Sequence, residues 1–124
     1  MKTLYIVRGL PGSGKTTKAI ELSGDRYCEA DQYFGVGSGY AFRYEKIIEA
    51  HKWCLWRAGN MMEDSLLPVA VANTFSRRWE YSPYLELAAL MGWRAEVIVC
   101  KGVWTSVHNV PKEAIATMRL RWED

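Results

Sequence analysis

Residues 9–17, Gly-Leu-Pro-Gly-Ser-Gly-Lys-Thr-Thr, have types and spacing suited to holding a polyphosphate. The spacing Gly9-x-x-x-x-Gly14-Lys15-Thr16 is a complete P-loop. Gly9, Gly12 and Gly14 permit backbone angles and close approaches that a Cβ would forbid. The backbone through Pro11, Gly12, Ser13, Gly14, Lys15, Thr16 and Thr17 can then turn its N–H groups onto a phosphate chain, helped by the positive end of the following helix. Lys15 supplies a catalytic point charge for the β and γ phosphates, and Thr16 offers a hydroxyl to Mg²⁺. The expected ligands are ATP, or another nucleoside triphosphate, and Mg²⁺.

Other residues could do chemistry beside that loop. Asp31 follows a short segment, Arg26–Ala30, that reads as a strand. Phosphoryl transfer to an alcohol needs a group that takes the hydroxyl proton and aligns the oxygen, and a carboxylate one strand from the P-loop could do so. The plainer alternative is an Asp that caps a turn. Asn73 and Thr74 follow a later strand. Phe75 next to them reads either as a surface on which a base stacks or as core. Arg77 and Arg78, beside Trp79, could grip backbone phosphates or form a solvated helix face. His51 and His108 are each open to a structural or a binding role, and Trp53, Trp56 and Trp93 read as core. Cys28, Cys54 and Cys100 have no metal-ligand spacing and read as reduced, mostly buried thiols.

The elements that must position these groups alternate along the chain. Leu4–Val7 reads as a strand that enters the loop, and Lys15–Leu22 as a helix stopped near Gly24. Arg26–Ala30 reads as a second strand delivering Asp31, and Gly35–Tyr40 as a glycine-rich connection. A long amphipathic helix is predicted from Tyr44 to about Glu63. Val69–Ala72 is a third strand, Arg77–Met91 a helix stopped by Gly92, and Arg94–Cys100 a fourth strand. Pro111 opens a last helix. Strands joined by helices predict an α/β three-layer sandwich: a mostly parallel sheet of about four strands with helices on both faces. Ligands bind beyond the carboxyl ends of such strands, so the P-loop, Asp31, Asn73-Thr74 and the segment 102–109 should face one crevice.

A chain of 124 residues reads as one domain, residues 1–124. A net charge of +2 is too small to argue by itself for a nucleic-acid partner. No stretch approaches the length of a membrane span and the N-terminus goes straight into a strand, so no membrane partner and a cytoplasmic location are expected.

At this point the residues resemble a known family. The P-loop, Glu29-Ala30-Asp31-Gln32-Tyr33-Phe34, Ala50-His51, Ala72-Asn73-Thr74, Val110-Pro111, Met118 and Arg121-Trp122-Glu123 occur in the family's order. Together they look like the small P-loop kinases related to the kinase domain of bacteriophage polynucleotide kinase, from about Leu4 to Glu123. The resemblance implies a P-loop NTPase fold, ATP-dependent phosphorylation of the 5′-hydroxyl end of DNA or RNA, and a phage-encoded protein in a host cytoplasm. It makes Asp31 the general base, puts Asn73 and Thr74 near the acceptor, and puts His108 on phosphate. Two departures stand out. Ala72-Asn73-Thr74-Phe75 replaces a more polar Asp-Asn-Thr-Asn. No arginine lies between Arg94 and Arg119, where such kinases carry lid arginines, so Arg119 or Arg121 would have to supply that charge. The alternatives are a nucleoside or modified-base kinase and a non-catalytic ATP-binding module with a shortened lid.

Overall fold

A computed structural model describes residues 2–35, 41–102 and 110–124. Its centre is β1 (Thr3–Gly9), in which every residue but Tyr5 is buried. A strand covered on both faces can be a continuous apolar run, as this one nearly is. The sheet order is β2-β3-β1-β4, with β2 at Tyr27–Cys28, β3 at Val69–Asn73 and β4 at Arg94–Cys100. All three pairings are parallel. The register pairs Arg8 with Asn73 and Gly9 with Cys100, so the carboxyl ends of β1, β3 and β4 end level with one another.

Period-two alternation sends neighbouring residues to opposite faces. Leu4, Ile6, Val69 and Val71 pack in one cluster with α2 (Ile47–Asp64) and α3 (Arg78–Met91). Ala50, Cys54 and Ala58 of α2, spaced by four, have no exposed surface and let that helix lie close on the sheet. Val7, Ala70 and Ala72 pack on the opposite face with Ala19 and Leu22 of α1 (Lys15–Ser23). The fold is therefore α/β, with a parallel four-stranded sheet and helices on both faces, as the alternation predicts. Gly24 ends α1 at φ 65° and Gly92 ends α3 at φ 72°, where any Cβ would be strained.

Several boundaries differ from the sequence expectation. The second strand is only Tyr27–Cys28. The chain then coils into a 3₁₀ turn, Ala30–Phe34, closed by the Glu29 N–H donating to Gln32 Oε1 at 3.0 Å. Asp31 therefore sits inside a turn and not at a strand end. A second 3₁₀ turn, Tyr44–Lys46, takes up the start of the expected long helix. Pro111 is the residue before α4 (Lys112–Arg121) and not its first position. Trp93 is buried and Trp53 packs on the core, but Trp56 is 64% exposed, against its expected core role. Residues 36–40 of the glycine-rich connection, and His108, lie outside the described residues. No described helix is long and apolar enough to cross a membrane.

Candidate active site

The P-loop leaves β1 at Gly9, where glycine is required by space. A Cβ there would stand 2.3 Å from Ser13 Oγ and 2.8 Å from the Cys100 carbonyl. Gly12 (φ 81°) and Gly14 (φ 92°) supply left-handed turns that other residues rarely adopt. The loop is closed by the Ser13 N–H on the Leu10 carbonyl at 3.1 Å and tied to β4 by the Gly102 N–H on the Ser13 carbonyl at 3.2 Å. Ser13 Oγ is buried without a hydrogen-bond partner among the described residues. An orphaned hydroxyl costs free energy, and an anion in the loop would relieve it. Lys15 arches back over the loop, its Nζ donating to the Leu10 carbonyl at 3.0 Å. Burial lowers the pKa of its ammonium, and the carboxylates of Glu29 and Asp31 partly offset that.

Those two acids stand opposite the loop. Thr16 Oγ1 donates to Glu29 Oε2 at 2.5 Å, joining the first turn of α1 to the entrance of the 3₁₀ turn. The sequence reading did not single out Glu29. The turn itself is held by Asn73, whose Oδ1 accepts the Ala30 N–H at 2.8 Å while its Nδ2 faces Cys54 Sγ at 3.7 Å. Asn73 thus turns its amide inward and fixes the backbone that carries Asp31. Among the described residues no three His, Cys, Asp or Glu side chains cluster as a metal cage. Mg²⁺ needs no such cage when it shares waters and substrate phosphates, and Thr16 beside Glu29 fits that donor chemistry.

These groups line a cleft of about 1180 Å³. Pro11, Gly12, Ser13, Gly14, Lys15, Thr16, Thr17, Asp31, Asn73 and Thr74 all reach its wall, as expected from the sequence, with Gly9 buttressing the loop behind them. The other walls come from Phe34, Phe42, Tyr44, Ile47 and His51, and from α4 through Ala114, Met118 and Arg121. Burial against the wall lowers the pKa of His51, opposed by the charges of Glu80 and Asp31. Phe75 resolves to core: it is 3% exposed and sits edge-on to Tyr81 and Tyr84, with ring centroids at 5.9 and 5.5 Å. Of the two arginines on α4 that could replace lid charge, Arg121 lines the cleft, 3.8 Å from the Glu80 carboxylate.

Arg77 lies beside the cleft's rim residues Ser76 and Glu80 in sequence but is turned to the C-terminal segment. It is not among the residues lining the cleft. Its guanidinium donates to the Arg121 carbonyl at 3.1 Å, and its backbone N–H donates to Glu80 Oε1. Arg78 likewise holds the end of the chain, with its Nε on the Asp124 carbonyl at 2.6 Å and its N–H on Glu123 Oε1 at 2.8 Å. That hydrogen bond holds the Glu123 carboxyl below the usual range. The pair docks the tail because α3 begins where the tail ends. Arg8, which the sequence reading passed over, completes this dock. It is 2% exposed and donates to the carbonyls of Phe75, Ser76 and Glu123, between the rings of Tyr81 and Trp122. A charged residue next to an apolar run and one step before Gly9 was the available signal.

No family model matches the chain. It is 30% identical over 128 aligned positions to NEDD4-binding protein 2 of Homo sapiens, a match that takes in 93% of this chain. The chain spans about 7% of the length of that relative.

Proposed function

We propose that this chain is a P-loop kinase that moves the γ-phosphoryl group of ATP to a hydroxyl. The observation that carries the reading is one cleft holding a P-loop with an unpartnered buried Ser13 hydroxyl on one side and Asp31 on the other. Lys15, Lys18 and Lys101 give the phosphate half of that cleft its positive charge. When bound, Mg²⁺ would neutralise phosphate charge from a place held by Thr16 and Glu29. The acceptor oxygen attacks the γ phosphorus, the bond from that phosphorus to the bridging oxygen breaks, and ADP leaves. The hydroxyl proton passes to the Asp31 carboxylate. Asn73 keeps Asp31 in place through Ala30, and Lys15 balances charge on the transferring group.

The resemblance to polynucleotide kinases supports the same chemistry and points to a 5′-hydroxyl end as acceptor. It also supports a P-loop NTPase fold, which the parallel sheet and the loop after β1 fit. Transfer of labelled γ-phosphate, measured over a panel of 5′-hydroxyl oligonucleotides and nucleosides, tests the reading. Transfer that depends on Asp31 supports it. ATP binding without transfer to any acceptor would make the chain a nucleotide-binding module instead.

A further inference from the structure

The acceptor half of the cleft has a chemistry of its own. Asp31 and Phe34 lie on the same 3₁₀ turn. Phe34 is 9% exposed and packs against Phe42, ring centroids 5.0 Å apart, and the Ala41 N–H donates to the Phe34 carbonyl at 2.8 Å. Phe34 also meets Tyr33 edge-on at 5.6 Å, and Tyr33 meets Trp53 at 6.1 Å. Phe42 is therefore braced from behind, yet it stays 48% exposed on the cleft wall, with Tyr44 beside it at 77%. Large aromatic faces left open in a cleft mark a surface that a planar ligand covers.

Charge decides which planar ligand. The lysines and arginines on the described wall are Lys15, Lys18, Lys101 and Arg121. The first two belong to the P-loop helix, Lys101 directly follows β4, and Arg121 already faces Glu80. Residues 36–40 and 103–109 contain no lysine or arginine. The cations next to the aromatic wall are met by neighbouring carboxylates: Arg43 by Glu45 at 2.9 Å and Lys46 by Glu49 at 3.4 Å. Arg77 and Arg78 are turned to the C-terminal tail. A protein that grips a polynucleotide neutralises several of its phosphates. Here the acceptor half offers Asp31, Glu80, His51 and exposed rings.

We infer that the acceptor is an uncharged nucleoside-like alcohol, its base stacked on Phe42 and its hydroxyl at Asp31, and not the end of a polynucleotide chain. This rests on the kinase reading above. The phosphoryl transfer is the one already written, with a nucleoside monophosphate as product.

The test is steady-state transfer from ATP to free nucleosides and to a 5′-hydroxyl decanucleotide, at low and at physiological salt, with wild type, Phe42→Ala, Phe42→Trp and Tyr44→Ala. Nucleosides should be phosphorylated with an efficiency that salt leaves nearly unchanged. Phe42→Ala should raise the nucleoside KM by roughly 5- to 150-fold, the range that one base–aromatic stack supplies. Its KM for ATP should not change, and Phe42→Trp should restore the nucleoside KM. Tyr44 is so exposed that its loss cannot unfold the chain, so Tyr44→Ala gives a second reading of the same wall. Efficient transfer to the decanucleotide alone, falling steeply with salt, overturns the acceptor assignment and leaves the kinase reading standing. Transfer to nucleosides that neither aromatic variant alters removes the stacking role. Failure of every acceptor together with failure to bind ATP removes the kinase reading itself.

Discussion

The side-chain oxygen of Asn73 accepts the backbone N–H of Ala30 at 2.8 Å, tying the carboxyl end of β3 to the turn that carries Asp31. Asn73 is 7% exposed, so this hydrogen bond has little competition from water. Its position one strand from the P-loop lets it set the distance between the two halves of the cleft.

Asn73→Leu should therefore act through Asp31. An unsatisfied buried N–H at Ala30 should cost about 1–3 kcal/mol of stability in denaturant unfolding. Misplacement of the base should lower kcat by roughly 10- to 100-fold while the KM for ATP holds. An unchanged kcat in a folded variant would show that the turn keeps Asp31 in place without Asn73.

Arg8 predicts a stability effect remote from the phosphates. Its guanidinium carbon lies 4.2 Å from the centre of the Trp122 ring, and three backbone carbonyls accept from it. Arg8→Met should cost about 3 kcal/mol, since it strands buried acceptors and frees the tail. Arg8→Lys keeps the charge but loses the fork, and should fall between the two. Thermal unfolding would check this, and a midpoint equal to wild type for Arg8→Met would contradict it.

Lys15 is held against its preference for water, because burial lowers its pKa. Lys15→Ala should lower transfer by roughly 10²–10³-fold, as loss of a positioned charge on a transferring phosphoryl group does. Unfolding of the protein without ATP should not become easier, since the variant removes a desolvated cation. Wild-type turnover by Lys15→Ala would mean that phosphates are bound elsewhere.

His51 gives a pH signature with a definite sign. Its pKa in the folded protein lies below the ordinary value of 6.5, chiefly through burial. The unfolded chain then takes up the proton first, so this group's contribution to stability is present above about pH 6.5 and is lost as pH falls from there through the lower folded value. The effect is small because the side chain keeps part of its surface in solvent, which screens it. His51→Gln should flatten the acid side of the stability curve over that range, measured by denaturant midpoints. Parallel curves for variant and wild type would count against it.

The loop was legible because backbone geometry favours its residues: a Cβ at Gly9 has no room, and Gly12 and Gly14 hold positive φ angles that other residues rarely adopt. The parallel sheet was legible because apolar runs alternated with helix-length patterns. Less legible were features made by contacts distant in sequence. Glu29 and Gln32 carried the spacing of a capped turn, but a run from Arg26 to Ala30 with Tyr and Cys reads equally as a strand. The tail dock depends on Arg8 meeting Trp122 and Glu123, more than a hundred residues away, and no local pattern announces it. The contacts of Arg77 and Arg78 with the C-terminal segment are likewise made with residues distant in sequence. Phe75 could not be assigned from sequence because its backbone takes a positive φ of 47° that no local pattern announces, and its ring partners Tyr81 and Tyr84 lie on α3.

The central claim is that Asp31 receives the proton of an attacking hydroxyl across the cleft from the P-loop. It is tested most directly by labelled γ-phosphate transfer, with wild type and Asp31→Asn compared at equal, saturating ATP. Asp31→Asn should bind ATP with nearly wild-type affinity and transfer phosphate roughly 10²–10⁴-fold more slowly. Equal transfer rates would contradict the account and leave Asp31 as a turn residue.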